Sequence, residues 1–170
     1  MVEFKKALIP EEIEALCAFD SRAFHAYPAD LYNPDVWRKL ESYWMVVDGE
    51  TVGCSAFRFH IDHDGRARPG TLSLSSTGVL PEYQGRGYGL MQKEWQIEFA
   101  KQQGFQRIVT CMRESNERII RLNKKLGFRP VGIDPHYYQR PEEAALVMEL
   151  VLENNLETAS TNVDGQVAKG

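Results

Sequence analysis

The chain has 170 residues, of which 43% are hydrophobic and 26% are charged, and its formal net charge is −4. This ordinary globular composition excludes collagen, coiled coil and wholesale disorder, and the length favours one domain. The negative charge argues against a nucleic-acid partner, and no run approaches the roughly 18 apolar residues of a membrane span. Three scattered cysteines without a C-x-x-C pair fit a reducing, cytoplasmic setting with no metal site.

Hydrophobic patterning in the N-terminal half predicts a strand, two helices and three strands. The connection between the two helices is irregular and rich in aromatic residues, and D-G marks a tight turn between two of the strands. The predicted strands cover residues 2–8, 43–47, 52–61 and 71–79. The first helix begins near residue 10, and the second runs through residues 36–40.

In the C-terminal half, the patterning predicts alternating helices and strands. The helices cover residues 88–102 and 119–126, and the strands cover residues 107–112, 128–133 and 144–152. The last residues have no aromatic side chain and no periodic apolar face. We therefore expect one α/β (α+β) domain over residues 1–152, followed by a tail over residues 153–170.

The segment most informative about function is V-L-P-E-Y-Q-G-R-G-Y-G, which joins a predicted strand to a predicted helix. Gly85, Gly87 and Gly89 allow a tight turn and leave backbone N–H groups uncovered at the start of the helix. The helix dipole and Arg86 add positive potential, so the loop predicts a phosphate or diphosphate site. The spacing matches neither the dinucleotide fingerprint nor the P-loop.

This segment resembles the acetyl-CoA signature of the GCN5-related N-acetyltransferase (GNAT) superfamily, Q/R-x-x-G-x-G/A, met by Gln84, Gly87 and Gly89. N-E-R-I-I-R-L-N-K-K-L-G-F resembles the later motif of the same family, and together the two motifs cover about residues 72–133. The resemblance implies a central mixed, mostly antiparallel sheet of about seven strands with about four helices. It also implies that the fourth and fifth strands splay apart.

The resemblance further implies that acetyl-CoA is the co-substrate. Its pantetheine arm would lie between the strands that end near Val79 and Met112, with Asn116 facing the arm while also capping its helix. The diphosphate would lie on the N–H groups of the glycine loop. The loop residues assigned to this role are Gln84, Gly85, Arg86, Gly87, Tyr88 and Gly89.

The reaction implied is direct attack of an amine on the thioester, with the N–H of Leu80 as the predicted donor to the tetrahedral oxyanion. Many relatives have a tyrosine as the proton donor to the thiol where this chain has Asn123, and an amide is not a general acid. Either Asn123 orders a water or the arm, or a different group protonates the thiolate, and Tyr137 and Tyr138 are the candidates nearby in sequence. No carboxylate lies on residues 72–79, so the motif assigns no base.

The acceptor is expected to be a primary amine, and Phe24, Tyr27 and Tyr32 are candidates to line its pocket. Residues 1–50 carry five basic and ten acidic groups, which favours a cationic acceptor such as a polyamine, an aminoglycoside or a peptide amine. Two alternatives stay open: acetylation of a protein N-terminus, and a module that binds acyl-CoA without turnover. Dimers are common among such enzymes, so a homodimer is also an open alternative.

Overall fold

The computed structural model describes residues 1–153, so the predicted tail falls outside the described residues from residue 154 onward. Within this range the chain forms seven strands, four α-helices and two short 3₁₀ turns. The strands and helices are β1 (Val2–Lys6), α1 (Ile13–Ala23), α2 (Pro34–Trp37), β2 (Glu41–Val47), β3 (Glu50–Ile61), β4 (Ala67–Val79), α3 (Tyr88–Gln102), β5 (Arg107–Arg113), α4 (Glu117–Lys125), β6 (Arg129–Gln139) and β7 (Glu142–Val151).

All seven strands form one sheet, in the order β1-β2-β3-β4-β5-β7-β6. Every neighbouring pair is antiparallel except β4 and β5, which are parallel and joined through α3. A parallel pair needs such a crossover, whereas a short hairpin can join antiparallel neighbours such as β2 and β3. The predicted fold class, with about seven strands and four helices, is confirmed.

The sheet carries a hydrophobic core on each face, because successive residues of a strand point to opposite sides. In β3, Ala56 packs with α1 and α2 on one face, whereas Phe57 packs with α3 and α4 on the other. Among residues 1–153, no helix combines the length and apolarity needed to cross a membrane.

β4 and β5 pair over only part of their length, which opens the sheet in its middle. The parallel ladder joins Thr71–Leu74 to Arg107–Thr110 and stops there. β4 nevertheless stays paired with β3 as far as Val79, and β5 stays paired with β7 as far as Arg113. The two strands therefore diverge into a wedge, as predicted for the fourth and fifth strands.

Helix α3 buries most of the apolar stripe that its sequence predicts, since Trp95, Ile97, Phe99 and Ala100 pack on the core, but the first turn of that stripe is exposed. The expected apolar stripe began with Leu90 and Met91, but these side chains are 41% and 43% exposed. The side chains of α3 that are almost fully buried are instead mostly polar, namely Gln92, Lys93 and Gln96, together with Ala100. The face of α3 that meets the sheet is therefore specialised, because ordinary core packing would select apolar residues there.

Strand β6 is longer than the sequence predicts. β6 runs six residues further than expected, to Gln139, so that Tyr138 pairs with Glu143 of β7 and does not precede a strand. β6 is an edge strand that contains Pro130 and Pro135, and its register with β7 shifts twice. The prolines hid the continuation of the strand, because proline interrupts the pattern of strand-forming residues.

Candidate active site

The glycine loop presents a row of uncovered N–H groups at the start of α3. Gly85 and Gly87 have φ angles of 81° and 86°, a left-handed conformation that favours glycine, and Gly87 is the N-cap of α3. Within residues 1–153, the N–H groups of residues 85–90 have no hydrogen-bond acceptor. A Cβ atom built on Gly85, Gly87 or Gly89 meets no atom within 4 Å. Open space above free N–H groups at a helix start suits a diphosphate.

Two neighbours of the glycines support the loop in different ways. The side-chain Nε2 of Gln84 donates to the carbonyl oxygen of Val79 at 3.1 Å, and its own N–H donates to Pro81 at 3.3 Å. Gln84 therefore braces the loop, and its N–H is not one of the free donors that we predicted. The guanidinium of Arg86 lies 5.5 Å from the centre of the Tyr83 ring, exposed beside the loop.

The predicted oxyanion donor does not face the wedge. The N–H of Leu80 donates to the carbonyl oxygen of Val52 at 2.9 Å, so it points toward β3. Backbone groups alternate in direction along an antiparallel strand, which turns the N–H of Val79 toward the wedge. The direction of an N–H depends on strand register, and the sequence does not reveal that register here.

The aromatic connection between α1 and α2 reaches β4 at the wedge. The Phe24 ring covers Gly78 so closely that a Cβ atom there would lie 3.0 Å from the ring. The Tyr32 hydroxyl donates to the carbonyl oxygen of Ser75 at 2.6 Å. The backbone N–H of Tyr32 donates to the buried carboxylate of Asp20 at 3.0 Å. Burial raises the pKa of Asp20 to about 6 and that of Tyr32 to about 12.

A buried arginine, missed by the sequence analysis, ties this connection to the far side of the wedge. Arg113, at the end of β5, is bound to both Asp30 carboxylate oxygens at 3.0 Å and to Glu143 at 3.1 Å. Its guanidinium lies between two rings, 4.2 Å from the centre of Tyr27 and 4.5 Å from that of Tyr138. The two carboxylates lie 30 and 83 residues from Arg113 along the chain, and both rings are also distant in sequence, so no local pattern indicates them.

Cys111 of β5 lies beside two tyrosines at the wedge. Burial raises the pKa of the Cys111 thiol, although Tyr137 and Tyr138 oppose this rise. Burial also raises the pKa of both tyrosine hydroxyls. All three groups therefore stay protonated near neutral pH, so Tyr137 and Tyr138 are able to donate a proton, and Cys111 is a poor nucleophile.

The two asparagines of the later motif have different surroundings. Asn116 is the N-cap of α4, and its Oδ1 accepts from the N–H of Ile119 at 3.4 Å. Asn123 is fully buried, with its Nδ2 3.9 Å from the sulfur of Met148. Its Oδ1 has no hydrogen-bond partner among residues 1–153. Their contacts with a coenzyme remain predictions.

These features meet the requirements for a coenzyme A site. The free N–H groups of the glycine loop would hold the diphosphate, and the wedge would take the pantetheine arm. Acetyl-CoA supplies an activated acetyl thioester when bound, and the aromatic connection and Arg113 border the wedge where an acceptor would approach. Phe24, Tyr27 and Tyr32, predicted from the sequence, are brought together here with Tyr138.

Comparison with known proteins agrees with the fold and site. Residues 11–128 match the acetyltransferase (GNAT) family. A putative [ribosomal protein bS18]-alanine N-acetyltransferase of Bacillus subtilis is 32% identical over 81% of the chain and 88% of its own length. The chain belongs to the GNAT family of acetyl-CoA-dependent N-acetyltransferases.

Two other relatives match this chain over less than two thirds of their own length. The [ribosomal protein bS18]-alanine N-acetyltransferase of Haemophilus influenzae is 36% identical over 47% of the chain and 56% of its own length. An uncharacterized Mycobacterium leprae protein is 26% identical over 83% of the chain, which spans only 38% of that protein.

Solved structures share the fold at low sequence identity. The Escherichia coli ribosomal-protein-S18-alanine N-acetyltransferase superposes with a TM-score of 0.73, at 21% identity over 90% of this chain and 95% of that chain. A GNAT acetyltransferase from Elizabethkingia anophelis, solved with acetyl-CoA bound, gives a TM-score of 0.70, at 14% identity over 89% and 98% of the two chains.

Proposed function

We propose that this protein transfers the acetyl group of acetyl-CoA to the α-amine of a protein N-terminus, with an N-terminal alanine as the first candidate. The observation that carries the proposal is the likeness to the Bacillus subtilis relative, named for alanine acetylation on ribosomal protein bS18 and 32% identical over 81% of the chain. A small-molecule amine is the alternative that the experiment below separates from it.

The charges around the wedge support an α-amine over a lysine side chain or a polyamine. The attacking amine must be neutral, and the wedge carboxylates Asp30 and Glu143 are both paired with Arg113. At pH 7.5 about a quarter to two fifths of an α-amine is already neutral, compared with about one in a thousand lysine side chains. An α-amine therefore needs the least help from a base.

Within this proposal, Val79 and Tyr138 have separate roles. The Val79 N–H is the donor to the tetrahedral oxyanion, replacing Leu80, and the protonated Tyr138 hydroxyl donates its proton to the departing thiolate. A crystal structure with a covalent coenzyme A–peptide analogue tests the first role. A distance above about 3.5 Å between Val79 N and the oxygen that mimics the oxyanion would exclude it.

The acceptor is tested by offering the protein acetyl-CoA with three kinds of amine. The first is an alanine-initiated peptide, the second is the same peptide with a blocked N-terminus and an internal lysine, and the third is a polyamine. Released thiol and the mass of each product are measured. We expect acetylation of the α-amine only.

The matched control is Gly87→Glu, in which a carboxylate occupies the diphosphate position at a φ of 86°. This variant should lose both coenzyme binding and thiol release. Acetylation of the polyamine or lysine in preference to the α-amine overturns the proposed acceptor. Coenzyme binding without release for any amine instead supports the binding module.

A further inference from the structure

Lys93 of α3 is a buried cation that the site described above does not explain. Its side chain is only 4% exposed, and its Nζ lies 5.8 Å from the centre of the Phe128 ring. Within residues 1–153 it has no ion pair or hydrogen bond, and burial lowers its pKa to about 8. An ammonium on so deeply buried a side chain is costly without a partner, yet the Nζ atom itself is not fully buried, so a ligand could reach it and supply that partner.

The geometry of α3 places Lys93 above the wedge. The preceding residue, Gln92, donates to the carbonyl oxygen of Gly78 near the end of β4. Lys93 lies about 100° further around the helix and reaches Phe128, which follows α4. Lys93 therefore lies between the residue of α3 that contacts β4 and the segment that follows α4.

Asn123 is a second buried polar residue, and its backbone lies next to Phe128. Its Oδ1 is unpartnered among residues 1–153, and its backbone oxygen accepts from the N–H of Phe128 at 2.9 Å. Phe128 thus adjoins the ammonium of Lys93 through its ring and the backbone of Asn123 through its N–H. The ammonium is a donor, so a ligand that satisfies it must carry an acceptor, such as the carbonyl oxygen of an amide.

We propose that Lys93 is a coenzyme-binding residue whose ammonium donates a hydrogen bond to an amide carbonyl of the pantetheine arm, beside Asn123. The inference rests on the acetyl-CoA dependence of the family. At 1.5 Å per residue, Lys93 lies about 8 Å along the axis from Tyr88, at the start of α3. The diphosphate would lie at the start of α3, so a residue at this distance from the helix start would contact the pantetheine arm that extends from the diphosphate.

The test compares two ligands in a Lys93→Met variant by calorimetry. One ligand is coenzyme A, and the other is 3′-phosphoadenosine 5′-diphosphate, which has the diphosphate but no arm. We expect the variant to bind coenzyme A at least about tenfold more weakly and the nucleotide with unchanged affinity. Lys101→Met, which removes an exposed lysine from the same helix, should leave both affinities unchanged.

Two results overturn the inference. One is an unchanged affinity for coenzyme A in the variant, and the other is an equal loss for both ligands, which places the effect on the diphosphate or the fold. Should Lys93→Met not fold, NMR titration of the lysine side chains of the wild-type protein decides. Saturation with coenzyme A should raise the pKa of Lys93, and an unaltered pKa contradicts the inference.

The proposed acceptor can fail separately from this inference. Wild-type protein that binds coenzyme A tightly but does not acetylate the alanine peptide refutes the acceptor and leaves Lys93 unaffected. Acetylation of that peptide, combined with wild-type coenzyme affinity in Lys93→Met, refutes only the role of Lys93.

Discussion

Tyr138 is the residue whose chemistry can be tested with the smallest change. Tyr138→Phe removes only the hydroxyl and keeps the ring on Arg113, so the ion pairs should survive. We expect kcat to fall by about 10²-fold or more, as for loss of a general acid, while coenzyme affinity stays unchanged. Steady-state kinetics and calorimetry measure the two quantities.

Tyr137→Phe is the matched control for this prediction, because its hydroxyl lies beside the same thiol, Cys111. An unchanged kcat in Tyr138→Phe, with a reduced kcat in Tyr137→Phe, would reverse the assignment of the acid.

At the scale of elements, Arg113 holds the α1–α2 connection against the β6–β7 hairpin. Arg113→Met leaves Asp30 and Glu143 partly buried without their cation, which should lower the free energy of unfolding by about 2–4 kcal/mol. It should also raise KM for the acceptor, because the connection borders that side of the wedge. Urea unfolding and peptide kinetics measure these effects.

The control for Arg113 is Arg22→Met, which breaks an ion pair with Glu82 whose side chains are 58% and 50% exposed. Such surface pairs contribute about 0–1 kcal/mol, so stability and KM should hardly change. Equal effects in the two variants would show that the position of Arg113 has no special role.

The sequence predicts features that depend on neighbouring residues and misses features that depend on contacts between distant residues. The glycine loop was predicted because its residues are consecutive and their chemistry is local. Leu80 was wrong as the oxyanion donor because the direction of its N–H depends on pairing with Val52 of β3. Lys93 and Arg113 were missed because burial and partners many residues away give them their properties.

At the scale of the whole molecule, Lys93 predicts how stability depends on pH. Its pKa is about 8 in the fold and 10.5 ordinarily, so between these values the unfolded chain binds more protons and stability rises with pH. Below pH 8 the buried charge lowers the free energy of unfolding by about 3 kcal/mol. Lys93→Met should therefore be more stable than the wild type at pH 7.5.

Urea unfolding of both proteins from pH 7.5 to 10.5 measures this difference. Cysteines and tyrosines also titrate over this range, so the useful quantity is the stability of Lys93→Met minus that of the wild type at each pH. The difference should shrink as pH rises. A difference independent of pH would show that the lysine is not destabilised by burial.

The edge strand β6 has a consequence for self-association. β6 is an outer strand in which two prolines lack the N–H that an adjoining strand would need, and its spacing against β7 is irregular. Such an edge is a poor template for adding another strand. The sheet is thus open to a ligand at its centre, whereas its β6 edge disfavours pairing with another strand.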